Sequence, residues 1–383
     1  MTDASVAQPM ALTAENLQIA STRRRREVIV RYCLLMAALG TVVVSALIVW
    51  SLVSEAWTFI TGVAWADTWG QLGWFPRRGL YDIPTIVIAS IIVTAIAMLV
   101  AGPLGLGAAV YLSEYANRRV RAWLKPALEI LAGIPSVVLG FFALTWIAPN
   151  LVGRIGKNTF LVVGVVILIG YAVIAAGVAR NRIKHYRASG AEPSSLIVAI
   201  GAIAALVAIF ALVGAWLLNV WLEFAPARAG SLAAAGIGVG VLTIPLVASI
   251  SEDAMAAVPD SLRQASAGLG ARRMTTATTV VLPAAISGIV AAFIVAVSRA
   301  IGETMVVFLA GGAADAARFT DSPFEGSLTM TAAMASLASG TDSVVGEGLT
   351  FQSLYFVGLM LFGITLGLNV VAARFVARVR EAY

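Results

Sequence analysis

Of the 383 residues, 60% are hydrophobic and only 12% charged; a soluble globular domain carries roughly a quarter charged residues, so water is not the main solvent of this chain. The formal charge of +6 sits in short basic segments between apolar runs, a distribution that reads as membrane topology and argues against nucleic-acid binding. Cys33 is the single cysteine and has no partner in the chain for a disulfide or a metal cluster.

A polar tail, residues 1–27, ends in the basic cluster Arg23 to Arg26 and leads into an apolar stretch at 28–53. That stretch is longer than the roughly 7–15 residues of a signal h-region, and no small-residue cleavage site follows it, so it is expected to persist as a span. Seven more runs come near or above the roughly 20 residues needed to cross the hydrocarbon. They lie at 84–112, 126–147, 160–178, 196–221, 232–250, 281–309 and 351–376. Gly102-Pro103, Gly133 with Pro135, and Pro245 do not disqualify them, because neighbouring helices can satisfy the backbone groups such residues free. The expectation is an all-α integral membrane protein, a polytopic bundle of about eight spans.

The loops support that count. Basic residues concentrate in the N-terminal segment, in Arg118, Arg119, Arg121 and Lys125, in Arg180, Arg182, Lys184 and Arg187, in Arg263, Arg272 and Arg273, and in Arg374, Arg378 and Arg380. Rich and poor loops alternate, which places both termini in the cytoplasm. The segment 310–350 carries Asp315, Asp321, Glu325, Asp342 and Glu347 against Arg318, and reads as an outer polar cap or partner surface. Gly236 and Gly240, four residues apart, fit close helix packing in lipid.

The cytoplasmic loop 250–283, ISEDAMAAVPDSLRQASAGLGARRMTTATTVVLP, is helical in pattern yet too polar to span. Leu262, Ala265, Ser266 and Leu269 recur at helical spacing, Asp260 or Ser261 can cap the start, and Gly268 and Gly270 can end it. A short helix across the cytoplasmic face is expected. Other candidate chemistry fails on inspection. GRIGKNT at Gly153 lacks the first glycine and the Ser or Thr of a Walker A loop, which would fall at Leu151 and Asn158. His185 has no second metal-ligating residue near it. No ATP site, metal site, cofactor or catalytic set is expected.

The spacing Gln264-Ala265-Ser266, three residues, Gly270, nine residues, Val280, one residue, Leu282-Pro283 resembles the EAA loop of ABC importer permeases, with Gln264 where the acid usually stands. On either side, GLGAAVYLSEYA, LEILAGIPSVVLGFFAL, IPLVASISEDAMAAVP and VLPAAISGIVAAFIVAVSRAIGETMVV are similar to the PstC-type permease of phosphate importers. The resemblance covers about 84–150 and 232–380. It implies a type I ABC importer permease core in a bacterial inner membrane. The implied partners are a PstA-like second permease, a PstB-like ATPase dimer, a PstS-like phosphate-binding protein, phosphate itself and the lipid bilayer. It also implies that Asp260, Ser261, Leu262, Gln264, Ala265, Ser266, Leu269 and Gly270 dock on the ATPase. The expected division is a tail at 1–27, three spans at 28–150, an inserted helical hairpin at 151–231 with no family counterpart, and a core at 232–383 whose coupling loop is 251–280.

Arg299 and Glu303 are the only oppositely charged pair deep in an apolar run, and a four-residue spacing sets them on one helix face. Each costs roughly 2.5–3.5 kcal/mol at the bilayer centre, so such residues face a partner or a polar pathway. A guanidinium suits phosphate oxygens, and a carboxylate can hold it in place or sense the proton on the anion. Two readings stand: a substrate-pathway pair, towards which the family resemblance inclines, or a structural clasp between helices. Rival functions are a permease for another oxyanion or small solute, or an intramembrane enzyme or sensor; the EAA-like spacing argues against the last two.

Overall fold

Lipid offers the backbone no hydrogen-bond partners, so a chain this apolar must satisfy its peptide groups within helices. The computed structural model describes residues 21–70, 72–188, 193–223, 230–312, 317–339 and 348–379. Most of the expected tail, and Asp315, Asp342 and Glu347 of the expected outer loop, lie outside these residues, as do the side chains of Arg180, Arg182, Lys184, His185 and Arg187.

The first helix, α1 (Ser21–Gly62), is 42 residues long and exposed along most of its length, with Trp50 72% accessible. It meets the bundle near its C-terminal end, where buried Phe59 stacks on Phe356 at 4.8 Å and meets Tyr81 edge-on at 5.0 Å. A small hairpin follows, β1 (Trp74–Phe75) paired antiparallel with β2 (Leu80–Tyr81). Gly73, at φ 107°, lies so close to Ala317 that an added Cβ would stand 2.3 Å from its carbonyl oxygen.

The central pair is α2 (Ile83–Val110), ending in a π-helical turn at Tyr111–Tyr115, and α8 (Leu232–Ala256). Glycine lets their backbones approach. A Cβ on Gly236 would lie 2.7 Å from Ile96 Cβ, one on Gly240 2.8 Å from Val100 Cβ, and one on Gly105 2.7 Å from Val247 Cβ. The loop at 323–325 caps α8: Leu232 N donates to Glu325 O at 2.9 Å and Ala233 N to Pro323 O at 2.7 Å, satisfying donors that a helix start leaves open.

Between them, the expected span at 126–147 is corrected. α3 (Arg118–Ala132) buries none of its residues and ends at Gly133, and the chain turns at Pro135 before α4 (Ser136–Phe142), a π-helical turn at Ala143–Ile147 and α5 (Ala148–Asn150). The crossing segment is Ser136–Arg154. Proline disfavours helix in the residue before it, and the basic face of α3 keeps that helix at the surface. Asn117 starts α3 by accepting from Val120 N at 2.8 Å.

α6 (Lys157–Ala188) and α7 (Pro193–Leu222) pack on each other, with Tyr171 stacked on Phe210 at 6.1 Å. They reach the core at one end, through Phe160 against Phe324 at 5.3 Å and through Asp321, which accepts from Trp216 Nε1 and Asn219 Nδ2, both at 3.0 Å.

After α8 come α9 (Asp260–Gly268), α10 (Arg273–Thr276), a π-helical turn at Ala277–Val281, α11 (Leu282–Ala284) and α12 (Ile286–Ile301). The expected run 281–309 is not one helix. It bends by 71° between Ala284 and Ile286, stops at Gly302 and resumes as α13 (Met305–Ala310). α14 (Met330–Ala338) and α15 (Thr350–Val379) complete the bundle.

Among the described residues, five segments are long and apolar enough to cross a membrane, and the bent pair makes a sixth if it counts as one span. α6 and α7, 32 and 30 residues long, add shorter apolar stretches at Lys157–Val173 and Val207–Leu222. Each expected run therefore has a helical counterpart, one of them displaced and one broken. The larger core cluster gathers α2, α8, α13 and α14 with Phe324 and Leu328; a smaller one, including Met255, Val258, Val281 and Ile289, lies beside α9.

Candidate functional site

A cavity of about 300 Å³ opens between the end of α2, α3, α8 and α12. Leu112, Lys125, Glu129, Pro245, Glu252 and Arg299 are among its lining residues. Arg299 stands thirteen residues along α12 from Ile286, about 20 Å at a helical rise of roughly 1.5 Å per residue. The cavity thus extends from the interior of the bundle towards the end that carries α9.

Its charges are unequally matched. Glu252, 4% exposed, accepts from Arg121 Nη2 at 3.0 Å and Lys125 Nζ at 2.8 Å, and Lys125 also meets Asp253 at 3.0 Å. The hydrogen bonds to Glu252, then to Asp253, push the Lys125 pKa up, so this group stays cationic and the cluster stays compensated. Among the described residues Arg299 makes no ion pair or hydrogen bond, which leaves its guanidinium open to the cavity. Among the described residues, Glu129 is the lining carboxylate that makes no ion pair. A second groove, about 670 Å³ between α2, α6 and α7, is lined by apolar side chains and Asp321 and offers an anion no cation.

Glu303 is not on the same helix face as Arg299, contrary to the four-residue spacing, and the two do not pair. α12 ends at Ile301 and Gly302 carries the chain out of the helix. Glu303 Oε1 instead accepts from Met305 N at 3.2 Å and Val306 N at 3.4 Å, at the start of α13, while its own carbonyl accepts from Thr331 Oγ1 at 2.6 Å. A break in a helix leaves N–H groups without partners, and this carboxylate meets them.

α9 lies at the end of α8, and its apolar stripe is split. Leu262 packs on the smaller core cluster and Ser266 Oγ lies 2.9 Å from Thr276 Oγ1, whereas Gln264 and Ala265 are exposed and Leu269 is 90% exposed. Leu269 falls past the last helical residue, which takes it off the inward face, and Gly270 follows in the left-handed region at φ +78°. Neither Asp260 nor Ser261 caps the helix: Pro259 holds the N-cap position, and Asp260 pairs with Arg263 at 3.2 Å.

Several charged residues that hydropathy reads only as topology markers make specific contacts. Arg263 donates to Val258 O at 2.5 Å, to Met255 O at 2.8 Å and to Glu114 Oε1 at 3.1 Å. Lys125 and Glu252 are 127 residues apart in the chain, Arg263 and Glu114 149 apart. No spacing in the sequence links either pair: the acids stand in SEYA and SEDA, far along the chain from their basic partners.

The bundle thus carries a surface helix at one end and a cavity lined by Arg299 and Glu129, neither of them in an ion pair among the described residues. Residues 101–381 match the family model described as binding-protein-dependent transport system inner membrane component. The chain belongs to that family. It is a multi-pass membrane subunit of an ABC importer, an importer in which an ATP-binding subunit and a substrate-binding protein take part and ATP is hydrolysed by the separate subunit. Among curated proteins it is similar to the probable ABC transporter permease protein YqgH of Bacillus subtilis, 27% identical over 85% of this chain and 82% of that one. It is also 27% identical to phosphate transport system permease protein PstC 1 of Mycobacterium bovis, over 79% of this chain and 75% of that one. PstC of Mesorhizobium japonicum is 28% identical over 80% and 76%.

Proposed function

We propose that this permease imports inorganic phosphate. The observation that carries the reading is Arg299, a guanidinium that lines the cavity between α3, α8 and α12 and makes no ion pair or hydrogen bond among the described residues. Its forked donors suit a phosphate oxygen pair, and the names of the PstC relatives agree with that choice. Glu303, at the break between α12 and α13, is assigned to the substrate pathway by the same proposal. The partners are a PstA-like permease, a PstB-like ATPase dimer and a PstS-like binding protein. Asp260, Ser261, Leu262, Gln264, Ala265, Ser266, Leu269 and Gly270 form the element that docks on the ATPase, and all of them but Leu262 and Ser266 are exposed. Closure of the ATPase dimer on ATP moves α9, shuts the cavity at the α9 end and opens the pathway to the binding protein.

Labelled phosphate uptake by a strain lacking its own importer, supplied with this permease and its partners, is expected to depend on ATP and to resist excess sulfate. Uptake suppressed by sulfate as strongly as by unlabelled phosphate would assign the pathway to another oxyanion.

The division into a tail at 1–27, spans at 28–150, an inserted hairpin at 151–231 and a core at 232–383 belongs to the same proposal, as do a bacterial inner membrane and cytoplasmic ends of this chain. A reporter fused after Ala277 is expected on the cytoplasmic side with α9, and one after Ser322 on the opposite side. Cytoplasmic labelling at both positions would overturn that orientation.

A further inference from the structure

α9 is joined to Arg299 along the chain only through α10, a π-helical turn, α11 and the 71° bend before α12. Such turns and bends are where a helix yields. Arg263 offers a shorter route. Its guanidinium ties α9 to Met255 O in the last turn of α8 and to Val258 O just beyond it, and reaches across to Glu114 with Nε at 3.3 Å and Nη2 at 3.1 Å. The pair is largely withdrawn from water, with Arg263 21% and Glu114 9% exposed, so loss of one partner leaves a poorly solvated charge.

Glu114 lies in the π-helical turn that ends α2, two residues after Leu112 and four before α3 begins. Leu112 and the α3 residues Lys125, Leu128 and Glu129 form one wall of the cavity below Arg299. The same wall is fastened to α8 by Arg121 and Lys125 on Glu252. We infer that Arg263 is a positioning residue that carries the displacement of α9 through Glu114 to the α2–α3 wall of the cavity. The inference rests on the importer reading and adds to it a lateral route, separate from the covalent continuation into α12.

The test uses the assembled importer in membranes, with Cys33→Ser and Leu128→Cys as parent, and a polar maleimide to report access to the cavity. Trapping the ATPase with ATP and vanadate is expected to change the labelling rate of the parent at least about fivefold, the lower end of typical coupling between sites. Glu114→Gln keeps the bonds of Arg263 to the two carbonyls, and so the shape of α9, but removes the charge it pulls on. In that variant the change is expected to vanish while the ATPase stays bound and hydrolyses ATP. Arg263→Lys, which keeps the charge and loses the fork, is expected to behave likewise. Variants that respond as the parent does would overturn the inference, because the covalent route would then suffice. Loss of the ATPase from Glu114→Gln would also overturn it, since the contact would serve only to hold α9. A parent that shows no response would refute the cavity as a pathway, a failure of the importer reading that the parent alone reveals.

Discussion

Arg299→Lys is expected to lower phosphate uptake roughly ten- to a hundredfold, since a charge-assisted hydrogen bond is worth about 1.5–3 kcal/mol and each 1.4 kcal/mol is tenfold. Lysine keeps the positive charge in the cavity but presents a single point where arginine presents two parallel donors. Assembly should not change, because Arg299 makes no ion pair or hydrogen bond with the described residues of its own chain. The partner question is decided by the double change. If Arg299 and Glu303 formed a clasp, Arg299→Gln would be rescued by Glu303→Gln, which removes the stranded charge. With Glu303 bonded to Met305 N and Val306 N instead, the two changes are expected to add without rescue. Uptake assays paired with copurification of the ATPase read both quantities. Near wild-type uptake by Arg299→Lys, or by the double variant, would sink the pathway role.

The spans were legible because a run of some 20 apolar residues has few fates other than crossing lipid. Hydropathy misplaced the third one. Pro126 to Ala132 is apolar enough to merge with the run after Pro135, yet the same helix carries Arg118, Arg119, Arg121 and Lys125, and those charges keep α3 outside. Spacing arguments failed where a helix stops. Arg299 and Glu303 are one turn apart only in an uninterrupted helix, and Gly302 interrupts it; Leu269 leaves the stripe of Leu262 and Ser266 because α9 ends at Gly268. The ionic contacts of Glu114 and Glu252 were out of reach for a different reason. Their partners lie more than a hundred residues away, and one sequence records a basic residue without recording what it faces.

Ala265→Asp is expected to abolish uptake and release the ATPase while the chain still inserts in normal amounts. Ala265 is exposed on α9, at the flank of the face that carries Leu262 and Ser266. A carboxylate there stays in water as long as the permease is alone, so the fold of the chain loses nothing. Once the surface is covered by a partner, the same carboxylate must be stripped of water without a counter-charge, which costs about 2–5 kcal/mol in comparable interfaces. At about 4 kcal/mol the affinity falls roughly a thousandfold. Ala265→Ser, which adds one small hydroxyl, serves as the control and should copurify with the ATPase. The decisive measurement is ATPase copurification from membranes that hold equal amounts of each permease. An Ala265→Asp complex that retains its ATPase in full would place the docking surface elsewhere, since an exposed helix face that tolerates a buried charge is not being buried.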